Sequence, residues 1–325
     1  MQSFLDPAIL FFVFGILAGS LKSNLEIPPQ ISRFLSLYLL MALGLKGGFA
    51  LAQSGMTVEV LVNLGAAVGM AILVPMLGYL TLRRFLSGFD AAAIAATYGS
   101  VSAVTFITAV QYLDTHGIEF GGHMAAAMAL MESPAIVLAV LLANHARHTA
   151  AASCGFGLAS ATNAPLGRIL HEALTDGAQL LLLGAMVIGM LTGDSGQAAL
   201  KPFSVDLFKG MLAFFLLDMG LLAARNMGKL KGQSVWLLIY AMAGPLVHAG
   251  LALVLGWILD MSPGNTALLM VLSASASYIA VPAVIRHAIP EANPSLYFGM
   301  SLGLTFPFNI LIGIPLYVHI AQHLL

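Results

Sequence analysis

The sequence predicts an all-α integral membrane protein: ten transmembrane helices as two inverted five-helix repeats, with spans 4 and 9 broken and crossing at the midplane. Three observations carry this. The chain of 325 residues is 59% hydrophobic and only 8% charged, whereas soluble domains carry about 25% charged residues. Its apolar stretches recur at lengths near the roughly 20 residues a helix needs to cross the hydrocarbon layer. Two of those stretches are interrupted at matching places by hydroxyl-rich runs, GSVSAVT at Gly99–Thr105 and SASASYIAVP at Ser273–Pro282. Serine, glycine and β-branched runs are poor material for a continuous helix.

The same composition excludes several classes. A net charge of −1 offers no basic field to hold phosphates, so nucleic acid is not a partner; the lipid bilayer is. A single cysteine, Cys154, excludes an intramolecular disulfide and any cysteine-built metal site. The N-terminus has no basic n-region and no A-x-A site, so Pro7–Leu21 reads as a first span rather than a cleaved signal.

Taken in order, the spans are expected at 6–21, 33–53, 58–82, 91–113, 121–143, 171–191, 205–224, 233–259, 265–288 and 296–322. The eighth carries its own ruler. Trp236 and Trp257 lie 21 residues apart, about 31 Å of helix, and tryptophan prefers the two borders of the hydrocarbon layer. Basic residues concentrate after odd-numbered spans, from Lys22 and Arg33 to Arg286, while Lys201, Lys209 and Lys46 stand on the other side. The positive-inside rule then places both termini outside the cytoplasm. The 145–168 linker is cytoplasmic, rich in Ala, Ser, Gly and Thr, and reads as a plain mobile connector.

The halves, 1–144 and 169–325, repeat. Phe34–Gln53 resembles Phe208–Met227, with Gly44 facing Gly220. Pro75 and Pro245 both fall mid-span, Ser100 and Ser102 stand against Ser275 and Ser277, and Glu132-Ser133-Pro134 against Thr305-Phe306-Pro307. Ser102 to Pro134 is 32 residues, and so is Ser275 to Pro307. An odd number of spans per half makes the second half enter the membrane from the opposite side. Inverted repeats with interrupted helices are characteristic of secondary transporters.

Half-helix N-termini suit an anion, and half-helix C-termini with hydroxyl oxygens suit a small hard cation. Ser100, Ser102, Thr105, Ser273, Ser275 and Ser277 supply the hydroxyls; the competing reading is small residues for close helix packing. Tyr278 adds a hydroxyl and a ring beside the second break. Glu132, halfway along span five, is the strongest ionisable candidate, as a ligand of the coupling cation, a proton carrier or a protonated hydrogen-bonder. Glu132, Ser273, Thr305 and Asn309 form the expected Na⁺ set. Asp218 is read as structural, Lys46 as snorkelling or shaping an anion entrance, and His248 as a core histidine. No cofactor and no transition-metal site are expected.

Specific motifs then point to a family. Arg286-His-Ala-Ile-Pro-Glu-Ala-Asn-Pro-Ser-Leu-Tyr297, Leu25-Glu-Ile-Pro28, Gly44-Leu45-x-Gly47-Gly48, Gly99-x-Val101-Ser102-x-x-Thr105, Met131-Glu-Ser-Pro134-Ala135, Ala243-x-Pro245-Leu-x-His248 and Gly313-Ile-Pro315-Leu316 resemble the sodium-dependent bicarbonate transporter family, the SbtA-type permeases. The resemblance covers nearly the whole chain apart from the linker after span five. It implies a gate domain of spans 1, 2, 6 and 7, a core domain of spans 3–5 and 8–10, and an elevator-type mechanism. It also implies Na⁺-coupled bicarbonate uptake in a bacterial inner membrane, a homotrimer, and a cytoplasmic PII-like regulator in some members. Carried over, Ser102, Ala103, Val104 and Thr105, with Ser100 beside them, meet the anion at the first break. Ser275, Ser277, Tyr278 and Ile279 line the second. The second break departs from the family's S-S-S-S-D-I-S-G-P-P pattern: Tyr278 stands at the acidic position, and Ala280 and Val281 follow. The pocket is therefore expected to be more apolar.

The expected function is secondary active transport of bicarbonate or a similar small anion with Na⁺. The alternatives are proton-coupled transport of another small carboxylate or inorganic anion, or a channel-like permease. The protein is not expected to be an enzyme. Gly99-Ser-Val-Ser102 lacks the second glycine and paired histidine of a serine hydrolase.

Overall fold

The computed structural model describes residues 6–153, 177–228 and 233–325, which are helical with no strand among them. Twelve helices are numbered here in chain order: α1 Pro7–Ser20, α2 Pro29–Ser54, α3 Val58–Leu82, α4 Gly88–Gly99, α5 Ala103–His116 and α6 Met124–Ser153. There follow α7 Gly177–Lys201, α8 Phe208–Met227, α9 Val235–Ile258, α10 Pro263–Ala274, α11 Ala280–Ala288 and α12 Pro294–Leu324, the last with π-helical turns at Ser301–Thr305 and Asn309–Gly313. Helix starts follow local chemistry. Proline opens α1, α2, α10 and α12, where its missing N–H has no intrahelical partner to lose. The side chains of Asp6, Thr57, Ser87, Ser262 and Asn293 cap first-turn amides.

Among the described residues, seven helices are long and apolar enough to cross a membrane, with Pro7–Ser20 a shorter apolar helix; the chain is a multi-pass membrane protein. The count differs from the ten expected spans for visible reasons. α1 has 14 residues, the stretch 263–288 is divided into pieces of 12 and 9 residues, and 177–227 forms one near-continuous helical run. Two boundaries also differ. α6 continues to Ser153, through the first part of the linker expected as a loop, and α7 runs to Lys201 with a bend at Gly193 (φ 52°). The apolar ruler marks where lipid ends, and good helix formers such as Ala continue a helix beyond it. Positions 154–168 of the linker and 171–176 of span six lie outside the described residues.

Glycines set the closest helix contacts. A Cβ on Gly48 of α2 would stand 2.1 Å from the Met186 carbonyl of α7, and one on Gly44 would stand 2.4 Å from that of Leu182. The α1–α8 pair repeats this, with Gly220 2.2 Å from the Phe12 carbonyl and Gly15 2.3 Å from that of Leu217. Without a hydrophobic drive between helices in lipid, such close backbone approach carries the association. Trp236 and Trp257 are both exposed on α9, as lipid-border residues should be. The main core, with Phe106 of α5, Leu216 of α8, Leu268 of α10 and Phe306 of α12, surrounds the two interruptions.

Candidate functional site

Two short non-helical stretches lie inside this core. Helix α4 is alanine-rich and buried from Ala91 to Gly99, so neighbouring helices approach it closely. At Gly99 a Cβ would lie 2.6 Å from the Pro75 ring of α3, so the mid-helix proline and the glycine form one contact. Ser100 then turns extended (φ −92°, ψ −179°). Ser102 caps α5, its Oγ accepting from the Thr105 amide at 3.2 Å and from Thr105 Oγ1 at 2.9 Å. In the second stretch α10 ends at Ala274, Ser275 is extended (φ −79°, ψ 165°), and α11 begins at Ala280. Ser277 Oγ accepts from the Val281 amide at 3.4 Å.

The two stretches touch. The Ser102 amide donates to Ser275 Oγ at 3.0 Å, and the Ser277 amide donates to the Thr97 carbonyl at 2.8 Å. Ser275 Oγ in turn donates to the Leu272 carbonyl at 2.8 Å. Each stretch thus satisfies a backbone group of the other, which in a dry interior would otherwise cost several kcal/mol.

A cavity of about 240 Å³ opens beside this junction. Of the residues expected at the anion, Ser102, Ala103, Val104, Ser277, Tyr278 and Ile279 line it, together with Glu132. Ser100, Thr105 and Ser275 are buried and stand off its wall. Tyr278 OH donates to Met219 Sδ at 3.5 Å, and its ring packs edge-on against Phe306 at 5.2 Å. Glu132 Oε2 accepts from Gln179 Nε2 of α7. Ser36, Ala178, Tyr278 and Ile279 also border a wider cavity of about 820 Å³ that holds Glu26, Arg33, Arg225 and Asp218. Asp218 is buried, and its Oδ2 has no partner among the described residues. A third cavity of about 550 Å³ is bordered by Lys46 and Asp114, which pair at 2.9 Å. The expected snorkelling lysine is therefore an ion-pair member, and it also lies 5.1 Å from the Phe208 ring centroid.

The expected Na⁺ residues are not on one surface. Glu132 is on the cavity wall, whereas Ser273, Thr305 and Asn309 are buried away from it. Thr305 Oγ1 donates to the Ala241 carbonyl at 2.7 Å and meets Tyr98 OH at 2.6 Å. Asn309 Nδ2 donates to the Ala274 carbonyl at 2.8 Å, and its Oδ1 accepts from Tyr317 OH at 3.1 Å. Ser273 Oγ, Ser100 Oγ and His248 Nδ1 are buried with no partner among the described residues. Oxygen donors able to take a hard cation are thus present, but they occur in two groups.

Gln179 and Ser36 were missed as cavity residues. A lone amide at the head of the leucine run Gln179–Leu183 and a lone serine in span two were the signals available. His319 and His323 stand one helical turn apart, ring centroids at 4.0 Å, a pair that the no-metal expectation passed over. Among the described residues no group of three or more His, Cys, Asp or Glu could hold a metal.

No curated protein matches the chain. Residues 7–322 match the profile of the Na⁺-dependent bicarbonate transporter superfamily, and with nearly its whole length covered the chain belongs to that superfamily.

Proposed function

We propose that this protein is a secondary active transporter that takes up bicarbonate or a similar small anion with Na⁺, by elevator-type alternating access. The observation that carries the proposal is the junction of Ser102 with Ser275 and of Ser277 with Thr97 at the wall of a cavity lined from both interruptions. Residues at the N-termini of α5 and α11 both border that cavity. Their free first-turn N–H groups and positive dipole ends favour an anion.

In this reading the chain is ten spans in two inverted repeats, 1–144 and 169–325. The spans formed by α1, α2, α7 and α8 are the gate, and the remainder is the core. Glu132 to Gln179 and Lys46 to Asp114 are then core-to-gate contacts at two different cavities, which a moving core must break and remake. The positive-inside distribution supports extracytoplasmic termini, in a bacterial inner membrane by analogy with the family. A homotrimer and a cytoplasmic PII-like regulator belong to the same analogy and are tested by native mass spectrometry of the purified protein.

The test is uptake into proteoliposomes of labelled bicarbonate and other small anions, with external Na⁺ replaced by K⁺ or choline. Saturable flux that needs the Na⁺ gradient supports the proposal; non-saturating flux indifferent to it indicates a channel. One observation favours a second energy source: the Glu132 carboxylate lies on the cavity wall itself. Flux that follows a pH gradient in the absence of Na⁺ would make the protein a proton-coupled carrier.

A further inference from the structure

We infer that the preferred substrate of this site is a monocarboxylate with a short apolar tail, rather than bicarbonate. The inference rests on the transport reading above and narrows its substrate. Of the 17 residues lining the 240 Å³ cavity, 11 are apolar. Ser102, Ser277 and Tyr278 come from the two breaks, and Ser36, Glu132 and Gln179 from α2, α6 and α7, which also supply Leu40, Met128, Ile136 and Leu182. The lining is therefore mostly hydrocarbon, with six polar residues set into it.

The polar groups suit a single carboxylate head. Ser102 Oγ accepts two hydrogen bonds and is also hydrogen-bonded with the Tyr278 hydroxyl, so the two hydroxyls form one polar spot on the wall. The amides of Ala103 and Val104, in the first turn of α5, have no intrahelical acceptor. No lysine or arginine lines the cavity, and the Glu132 carboxylate does. Dipoles and a co-transported cation beside Glu132 offset one negative charge, and with no lysine or arginine on the wall a second stays uncompensated.

The apolar majority of the lining asks for a tail. At the roughly 30 Å³ that water takes per molecule in its liquid, the cavity has room for about eight waters, and a bicarbonate ion leaves much of the hydrocarbon wall against water. The volume is below the roughly 300–1,000 Å³ of drug-sized pockets, so the tail is short. Each methylene moved from water to such a wall gains about 0.8 kcal/mol, about fourfold in affinity.

The test uses the purified full chain in proteoliposomes with an inward Na⁺ gradient at pH 8, with protein-free vesicles subtracted. Labelled bicarbonate, straight-chain monocarboxylates from acetate to valerate, and succinate are compared at sub-saturating concentration. Uptake is expected to rise about fourfold per methylene as far as butyrate, with bicarbonate at least about tenfold below butyrate and succinate at background. Met128→Ser and Ile136→Ser, checked for folding by size exclusion, are expected to lower the butyrate-to-bicarbonate ratio by about tenfold. Bicarbonate flux equal to or above that of every monocarboxylate overturns the inference and leaves the transport proposal standing. Absence of Na⁺-driven flux for all of these anions overturns both.

Discussion

The backbone N–H of Ser102 donates to the hydroxyl of Ser275 at 3.0 Å, although the two residues are 173 positions apart. Ser102 opens helix α5 and Ser275 follows the last residue of α10, so one hydrogen bond ties the start of one helix to the end of another. The cavity wall is built on that tie.

Removing it should show. In Ser275→Ala the buried Ser102 amide loses its acceptor, a cost of about 1–3 kcal/mol. The expected outcome is a lower melting temperature in detergent together with at least a tenfold loss of uptake at constant expression, about 1.4 kcal/mol in the transport step. Wild-type flux with an unshifted melting curve would remove the junction from the mechanism.

Glu132→Gln keeps size and hydrogen-bonding capacity toward Gln179 while deleting the charge. A role as Na⁺ ligand predicts an apparent Na⁺ affinity lowered at least about tenfold. A role as proton carrier predicts a flattened pH profile at unchanged Na⁺ affinity. Titrating uptake against both ions separates the two, and a variant unchanged in both respects excludes this carboxylate from coupling.

Gly48→Val tests the close packing of α2 on α7. Even the Cβ would stand 2.1 Å from the Met186 carbonyl, so the helices must separate. Overpacking of this kind costs about 1–3 kcal/mol. The measurable outcome is reduced yield of monodisperse protein and a lower melting temperature. Gly65→Val on α3, where a Cβ meets nothing within 4 Å, should be tolerated in the same assay.

A pH effect is expected outside the membrane-crossing segments. Arg147 Nη2 and Nε donate to the Glu291 carboxylate at 2.8 and 2.9 Å, and Arg147 Nη2 also reaches the Ala288 carbonyl at 2.9 Å. These donors hold the Glu291 carboxyl below its usual 4.5. Its stabilising contribution is therefore complete above the unfolded value and is lost as pH falls through the lower folded one. The Glu291 side chain is 38% exposed, so solvent screening limits the pair to about 0–1 kcal/mol. Glu291→Gln should lower the melting temperature slightly at pH 7 and weaken the acid-side decline; an unchanged acid limb would dismiss the pair as a stabiliser.

What the amino-acid sequence determined by itself is what depends on neighbours along the chain. Apolar runs marked the spans because each helix is judged by lipid residue by residue, and the Ser-rich runs marked where α4 and α10 stop because local propensity ends a helix. Pro75 and Pro245 were legible inside their helices, and Gly44 and Gly220 were legible as positions of close approach, since small residues advertise it. The resemblance to the superfamily was carried by turn and proline motifs of the same local kind.

Only the tertiary structure decided which of the hydroxyls share a cavity. Ser102 and Ser277 line it, whereas Ser273, Thr305 and Asn309 are buried away from Glu132, with Thr305 and Asn309 already hydrogen-bonded; Gln179, unremarked in a leucine run, meets Glu132. Lys46 found Asp114 across 68 residues. Hydropathy and propensity are sums over adjacent residues, and they carry no term for where two distant helix ends come to rest. That position is set by packing, in which a missing Cβ at Gly99 lets Pro75 approach and so places Ser100 to Ser102.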